Sequence, residues 1–499
     1  MRDLYLAIDV GTGSIRAALV DRSGAVLAIR HREHEQIVPR HGWSEQRPAD
    51  WWAGTIESVR DVLGRVEEGP TRVAAICACG QMHGSVLVDD DGNLARETAL
   101  LWNDKRTMPQ VQALAARVPA ESLLPLAANM PAPAWPAFKL LWLMENDPGA
   151  VERASSLLMP KDWINLRLTG LRSQDWTEGS MSFLMDWRRR DWSPELLRLT
   201  GVPRRLLAPI RDPAAVLGPL TAEAGGLLGL PPGLPVLVGG GDYPVAILGS
   251  GVMEPGSGSD VTGTSTILTL LSEAPVLSPS VSNVLTVEGH WGSLTLLDAG
   301  GDAVRWARRA FHENRRSYEE VAGAAEAAEA GSGGLFFLPY LSGERFGTHP
   351  NSRAQFFGLT AGHGLAELHR AVLEGVALSV RLRLEAVQGG QGRPQRIVAA
   401  GGGARSELWL RIKASLYRAS YLVPREPECG VVGAAAMMAA ATGDAHDLGA
   451  AVRRMVSYER EVAPNPAWAD RYDQMMPVYA DLYRSSQAFY DRLDALSGV

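Results

Sequence analysis

Leu4-Tyr5-Leu6-Ala7-Ile8-Asp9-Val10-Gly11-Thr12-Gly13-Ser14-Ile15-Arg16-Ala17-Ala18-Leu19-Val20 decides the fold. The apolar run Leu4 to Asp9 has strand character and breaks at the turn Gly11-Thr12-Gly13-Ser14. Ile15 to Val20 is a second strand, Asp21-Arg22-Ser23-Gly24 a second turn, and Ala25 to His31 a third strand. Strands joined by tight Gly-rich turns predict an antiparallel meander. A dinucleotide-binding unit would instead open a helix after the first glycine turn, and Gly11-x-Gly13 lacks the third glycine of that fingerprint.

The same plan recurs about half a chain later. Gly258-Ser259-Asp260-Val261-Thr262-Gly263-Thr264-Ser265-Thr266-Ile267 echoes Ile8 to Ile15, so two halves built alike are expected, with Pro231 to Glu254 as the seam. Between them helices and strands alternate. Trp51 to Val66 has helical periodicity behind Pro48, and Val73 to Cys79 reads as a buried strand ending at Gly80. Ala371 to Ala386 reads as a long helix, Ile397 to Ala400 as a strand entering Gly401-Gly402-Gly403, and residues 469–499 as a docking helix carrying Tyr472, Met475, Tyr479, Leu482 and Tyr483.

Composition removes several classes of function. The chain has 499 residues, 46% apolar and 21% charged, enough for two or more domains and too apolar for disorder. Its net charge of -7 argues against a nucleic-acid scaffold. Cys77, Cys79 and Cys429 make neither a disulfide framework nor a zinc site and read as small apolar fillers in a reducing compartment. The longest apolar candidate, Val431 to Ala441, is too short to span a bilayer, and the N-terminus lacks a signal-peptide pattern. A cytoplasmic protein acting on small molecules, with no nucleic acid and no membrane among its partners, is the expectation. Lysine is scarce, only Lys105, Lys139, Lys161 and Lys413, and composition gives that scarcity no functional meaning.

Three Gly-rich turns follow apolar strands, at Gly11 to Ser14, Gly263 to Ser265 and Gly401 to Gly403. Glycine lets backbone N–H groups approach a phosphate closely. No Gly-Lys pair occurs anywhere, which excludes a Walker-type loop. Two carboxylates stand at strand mouths: Asp9 before the first turn, and Asp242 after Val236-Leu237-Val238-Gly239-Gly240-Gly241. Asp242 reads either as a helix cap or as a catalytic acid or base. Gln81-Met82-His83-Gly84, after the strand ending at Cys79, suits a polyhydroxylated ligand.

With these stretches in hand, the sequence resembles the FGGY carbohydrate kinases, and within them most the xylulokinase branch. The matching motifs run in order: Ile8-Asp9-Val10-Gly11-Thr12, Trp43-Ser44-Glu45-Gln46, Gly80-Gln81-Met82-His83-Gly84, Leu101-Trp102-Asn103-Asp104, Pro160-Lys161-Asp162-Trp163 and Gly239-Gly240-Gly241-Asp242. They continue through Phe337 to Arg345, Phe356-Phe357-Gly358-Leu359-Thr360, Leu373-Glu374-Gly375 and Gly401-Gly402-Gly403-Ala404-Arg405-Ser406. The resemblance implies an α/β fold of two actin- and hexokinase-like (ribonuclease H-like) domains with a catalytic cleft between them, residues 1–245 binding sugar and 246–499 binding nucleotide. It implies transfer of the ATP γ-phosphoryl, with Mg²⁺, to a sugar or polyol hydroxyl, and a homodimer is common in that branch.

Carried over residue by residue, the resemblance makes Asp242 the catalytic base and a second candidate Mg²⁺ ligand, and Asp9 the carboxylate that holds Mg²⁺ through water. Gln81, Met82, His83 and Tyr243 fall on the sugar site. Thr12, Gly13, Ser14 and Arg16 fall on the first phosphate hairpin, Gly263 and Thr264 on the second, Gly301 and Arg305 beside nucleotide phosphate and ribose, and Gly402, Gly403 and Ser406 on the adenosine loop. The chain departs from the branch at four places. Tyr243 stands where Asn is typical, Gly13 where Thr or Ser is common, Asp175-Trp176-Thr177-Glu178-Gly179-Ser180 in place of Asp-x-Ser-x-Ala, and Phe346-Gly347-Thr348-His349-Pro350 in place of a more polar loop. A phenol cannot offer an amide's paired donor and acceptor, so a reshaped sugar pocket is expected. The leading expectation is a kinase of a ketopentose such as xylulose. The alternatives are a kinase of a tetrulose, ribulose, erythritol or glycerol, a catalytically silent sensor of the same fold, and an actin-like assembly ATPase.

Overall fold

The computed structural model describes residues 2–344, 349–388 and 392–497. β1 (Leu4–Val10), β2 (Ser14–Asp21) and β3 (Val26–Glu33) form the expected antiparallel meander, whose first hairpin closes at Val10 opposite Ile15. α1 (Pro48–Leu63) starts on a proline, which costs nothing where no intrahelical N–H is needed. It turns Trp51, Thr55, Val59 and Val62 onto β2 and β3. β4 (Val73–Gly80) then pairs parallel with β1, and α2 (Pro160–Thr169) packs against β4. β5 (Val216–Pro219) and β6 (Pro235–Leu237) complete a six-stranded sheet of order β5-β6-β4-β1-β2-β3.

The second half repeats this order. β7 (Ser257–Thr262), β8 (Thr266–Ser272) and β10 (Trp291–Leu297) are antiparallel neighbours, with β9 (Ser282–Leu285) added at the edge. β11 (Arg396–Ala400) and β12 (Ser420–Pro424) continue in parallel from β7, and β13 (Tyr458–Val462) closes the far edge. The pattern β3-β2-β1-β4-β6 in the first sheet thus matches β10-β8-β7-β11-β12 in the second. The long helix α5 (Leu365–Gln388) runs further at both ends than its apolar core suggested. α8 (Pro466–Ser497) docks through buried Tyr472, Met475 and Tyr479.

Two helices join the halves. α3 (Asp242–Gly249) leaves the first sheet and buries Ile247 with Val398 and Leu422 of the second. α7 (Cys429–Ala441), from late in the chain, packs its Val431, Ala435 and Met438 with Tyr5, Ala7, Cys77 and Cys79 on the first sheet. The pair crosses at glycines: a Cβ on Gly249 would stand 1.8 Å from the Cys429 carbonyl oxygen, and one on Gly433 would stand 2.1 Å from that of Val245. Each sheet therefore turns one face to this central helix pair and the other to outer helices. No helix among the described residues is long and apolar enough to cross a membrane.

Candidate active site

The parallel strands β1, β4 and β6 end side by side. Gln81 N–H donates to the Val10 carbonyl at 2.8 Å, and Gly80 forms a bridge with Gly241. Ligand sites in open α/β sheets form at such carboxyl ends. Gly239 is required here twice over. Its φ is +71°, and a Cβ would stand 1.8 Å from the Ala78 carbonyl oxygen. Gly241 is the N-cap of α3 and sits against Met82, whose Cγ would be 2.8 Å from an added Cβ.

Asp242 is thus the first residue of α3 rather than its cap. Its Oδ1 accepts the Tyr243 N–H at 2.7 Å. Burial first, and the Asp9 carboxylate second, push Asp242 up to about 7. Asp9 continues the face of β1 that carries Tyr5 and Ala7 toward α7. Burial pushes it up to about 6, and Arg16 opposes the shift. Arg16 Nη1 lies 3.7 Å from Asp9 Oδ2 and 3.4 Å from Glu428 Oε2, while Asp9 Oδ1 is buried with no hydrogen-bond partner. Burial first, and then the charges of Asp9 and Asp242, raise the Cys79 thiol well above its ordinary range. Two carboxylates at one strand edge, one carrying an orphaned oxygen, fit a hydrated divalent cation, since Mg²⁺ takes one or two carboxylates and completes its shell with water and phosphate.

The residues after Gly80 turn partly inward. Gln81 is buried; its Nε2 donates to Gln46 Oε1 at 2.9 Å and its Oε1 accepts from Thr12 Oγ1 at 3.2 Å. Gln46 Nε2 in turn donates to the Thr12 carbonyl at 2.6 Å, and Trp102 Nε1 donates to Thr12 Oγ1 at 3.0 Å. Gln81 therefore pins the first hairpin, and the Thr12 hydroxyl is already engaged. Gly13, at the tip, has open space where a side chain would stand. His83 has a positive φ of 67°, packs edge-on to Trp135 at 5.0 Å, and leaves Nδ1 buried without a partner. Burial, aided by Lys139, holds its pKa well below the usual histidine range. The Lys139 ammonium donates to the His83 carbonyl at 2.6 Å, and Glu178 accepts the His83 N–H at 3.3 Å. Burial lowers Lys139 to about 7 and, helped by Asp175, raises Glu178 well above the carboxylate range. Tyr243 turns its hydroxyl to Thr269 Oγ1 of β8 at 2.6 Å, spanning from the first half to the second.

The second hairpin meets α4 (Gly300–His312). Gly301 N–H donates to the Gly263 carbonyl at 3.0 Å, Asp302 N–H to the Thr264 carbonyl at 3.0 Å, and Arg305 Nη2 to Thr264 Oγ1 at 3.1 Å. A Cβ on Gly301 would stand 2.1 Å from the Gly263 carbonyl oxygen. Gly401 and Gly403 press on Thr262, while Gly402 faces open space. Gly263, Thr264, Gly301, Arg305 and the 401–403 loop are thus one cluster. Ser406 caps α6 (Glu407–Tyr417), its Oγ accepting the Trp409 N–H at 3.3 Å, so its side chain has a structural task. Of the divergent 346–350 loop, Phe346, Gly347 and Thr348 lie outside the described residues, as does Arg345.

Sequence reasoning quotes Lys161, Thr177 and Glu178 within motifs and Lys139 among the lysines, and gives none of them a role at the site. The available signal was lysine scarcity: of the four lysines, Lys139, Lys161 and Lys413 are buried, each in a charged or polar cluster.

A profile of the FGGY family of carbohydrate kinases, N-terminal domain, matches residues 4–249, and one of the C-terminal domain matches 259–442. The chain is 32% identical to the xylulose kinase of Klebsiella pneumoniae, over 83% of this chain and 84% of that one. The xylulose kinase of Rhodospirillum rubrum superposes with a TM-score of 0.90 at 28% identity, covering 97% of this chain and 99% of that one. Gluconate kinase of Lactobacillus acidophilus superposes equally well, with a TM-score of 0.90 at 25% identity, covering 98% and 100%.

Proposed function

The chain belongs to the FGGY family of carbohydrate kinases and is an ATP-dependent sugar kinase; we propose that its acceptor is a ketopentose of the xylulose type and that Asp242 is the base. The observation that carries this reading is the pairing of Asp242 with Asp9 at the edge where β1, β4 and β6 end, each acid raised by burial and Asp242 further by its neighbour.

Phosphoryl transfer demands alignment and charge compensation more than covalent chemistry. Asp242 accepts the proton of the attacking hydroxyl, a role for which a pKa near working pH is suited. Its Oδ1 is held by the Tyr243 N–H, which fixes the carboxylate plane at the helix start. Backbone N–H groups of the two hairpins, at Thr12 to Ser14 and at Thr264, grip the phosphates, while the Gly263 N–H closes its own turn on the Ser265 carbonyl at 2.9 Å. Arg16 and Arg305 add positive charge beside them. Asp9 is the residue that would hold Mg²⁺, through water, with Asp242 the second carboxylate in reach. When bound, that cation supplies charge neutralisation on the phosphate oxygens. Met82 and His83 floor the sugar site, and Gln81 serves it by locking the first hairpin in place.

The xylulose assignment draws on the relatives named above and on the Met82-His83 pair. Tyr243 has a phenol in place of an amide, and its hydroxyl is engaged with Thr269. A coupled ADP-release assay over pentuloses, tetruloses, gluconate, pentitols, erythritol and glycerol tests the reading. The highest kcat/KM is expected with a ketopentose. A higher kcat/KM with gluconate or a polyol would replace the acceptor, and background rates with every member would favour a silent sensor.

A further inference from the structure

We propose that Thr177 is a positioning residue for the Asp242 carboxylate; the proposal rests on the reading of Asp242 as the base. The peptide N–H of Gly241, the last before Asp242, donates to Thr177 Oγ1 at 2.9 Å. The Thr177 hydroxyl spends its own proton on Asp175 Oδ1, which also accepts the Thr177 N–H at 2.7 Å and the Glu178 N–H at 3.3 Å. The other Asp175 oxygen, Oδ2, lies 2.8 Å from Lys161 Nζ, and that ammonium also pairs with Asp162. Lys161, Asp162, Asp175 and Thr177 are all fully buried.

The direction of this relay is fixed. An ionised carboxylate only accepts, so the Thr177 hydroxyl must donate to Asp175 and turn a lone pair toward Gly241. A buried ammonium beside two carboxylates has the same effect one step back, since it holds Asp175 in place. The segment it anchors is otherwise held through its backbone: Gly239 N–H donates to the Pro213 carbonyl at 2.9 Å, and Gly241 bridges Gly80. Gly239, Gly240 and Gly241 carry no side chains, and α3 has no side-chain cap of its own. The Gly241 N–H is therefore fastened from outside the helix by a residue remote in sequence, and the carboxylate that follows it inherits that placement. Displacement of a reacting group by about 1 Å costs on the order of 10²-fold in rate.

Thr177→Ser and Thr177→Ala both lose the threonine methyl and differ only in the hydroxyl, so any packing defect is shared. With ATP and the best acceptor of the panel, Thr177→Ser is expected to keep kcat within about threefold of the wild type, and Thr177→Ala to lose roughly 10- to 100-fold. KM for ATP should stay within about threefold in both, a split that loosened packing would not produce. Equal kcat in the two variants, or a rise in KM for ATP that accounts for the loss, overturns the proposal. Asp242→Asn in the same assay separates the two levels. Wild-type turnover there would remove the base itself, whereas an inactive Asp242→Asn beside matching Thr177 variants would remove only the positioning role.

Discussion

The two hairpins are built alike and treat their acids in opposite ways. Counted back from the last paired residue, Val10 or Thr262, Asp9 is one position in and Asp260 two. Side chains alternate along a strand, so that single step sends the two carboxylates to opposite faces. Asp260 points outward and is fully satisfied: Lys413 Nζ lies 2.9 Å from Oδ2, Tyr421 donates to the same oxygen at 2.7 Å, and Thr262 donates to Oδ1 at 2.6 Å. Asp9 points toward the central helices, with a 3.7 Å contact to a half-exposed Arg16 and one oxygen unpaired. One hairpin has closed its charge into the core; the other has kept its charge available to a ligand.

Breaking each acid in turn should break different properties. Asp9→Asn is expected to lower kcat by at least roughly 10²-fold, since contact with a cation that offsets phosphate charge is worth several kcal/mol. Thermal unfolding should show a loss of no more than about 1 kcal/mol, because the partner abandoned is the half-exposed Arg16, 3.7 Å away and also paired with Glu428. Loss of fold with activity per folded molecule intact would reverse the assignment. Asp260→Asn leaves Lys413 buried beside a neutral amide, so about 3–5 kcal/mol of stability should disappear in chemical denaturation. Unchanged stability would show that the Lys413 cluster tolerates an empty partner.

Finer perturbations sharpen the contrast on the nucleotide side. Gly301→Ala places a methyl 2.1 Å from the Gly263 carbonyl oxygen and must shift the second hairpin. KM for ATP should rise by roughly tenfold, equivalent to about 1.4 kcal/mol, with KM for the sugar unchanged. An unchanged KM for ATP would free that hairpin from nucleotide binding. Tyr243→Phe removes the bond to Thr269 alone and should cost about 0.5–1.5 kcal/mol in thermal unfolding. No change would mean that the bond between the halves is exchanged for water without loss.

What the sequence made legible was local. Asp9 and Asp242 were visible because each ends an apolar run beside glycines, and the meanders because strand and turn signals alternate on a short period. Tertiary pairing hid the rest. The Thr177 hydroxyl and the Gly241 N–H are 64 residues apart. Gln81 reads as a ligand to sugar because it is polar and follows a buried strand; the sequence does not show that one of its amide N–H groups goes to Gln46 and that its carbonyl accepts from Thr12. Tyr243 looked like a wall of the sugar pocket, and only the approach of β8 shows where its hydroxyl goes. Lysine scarcity, dismissed as composition, marked buried charge: the compact ammoniums of Lys161 and Lys413 each lie against carboxylate oxygens in the interior.

The claim that Asp242 and Asp9 frame one reaction centre is tested most directly by Asp242→Asn, assayed for sugar-dependent ADP release alongside calorimetric ATP binding. The account predicts turnover at background with the Kd for ATP within about threefold of the wild type. Turnover at the wild-type rate would contradict it.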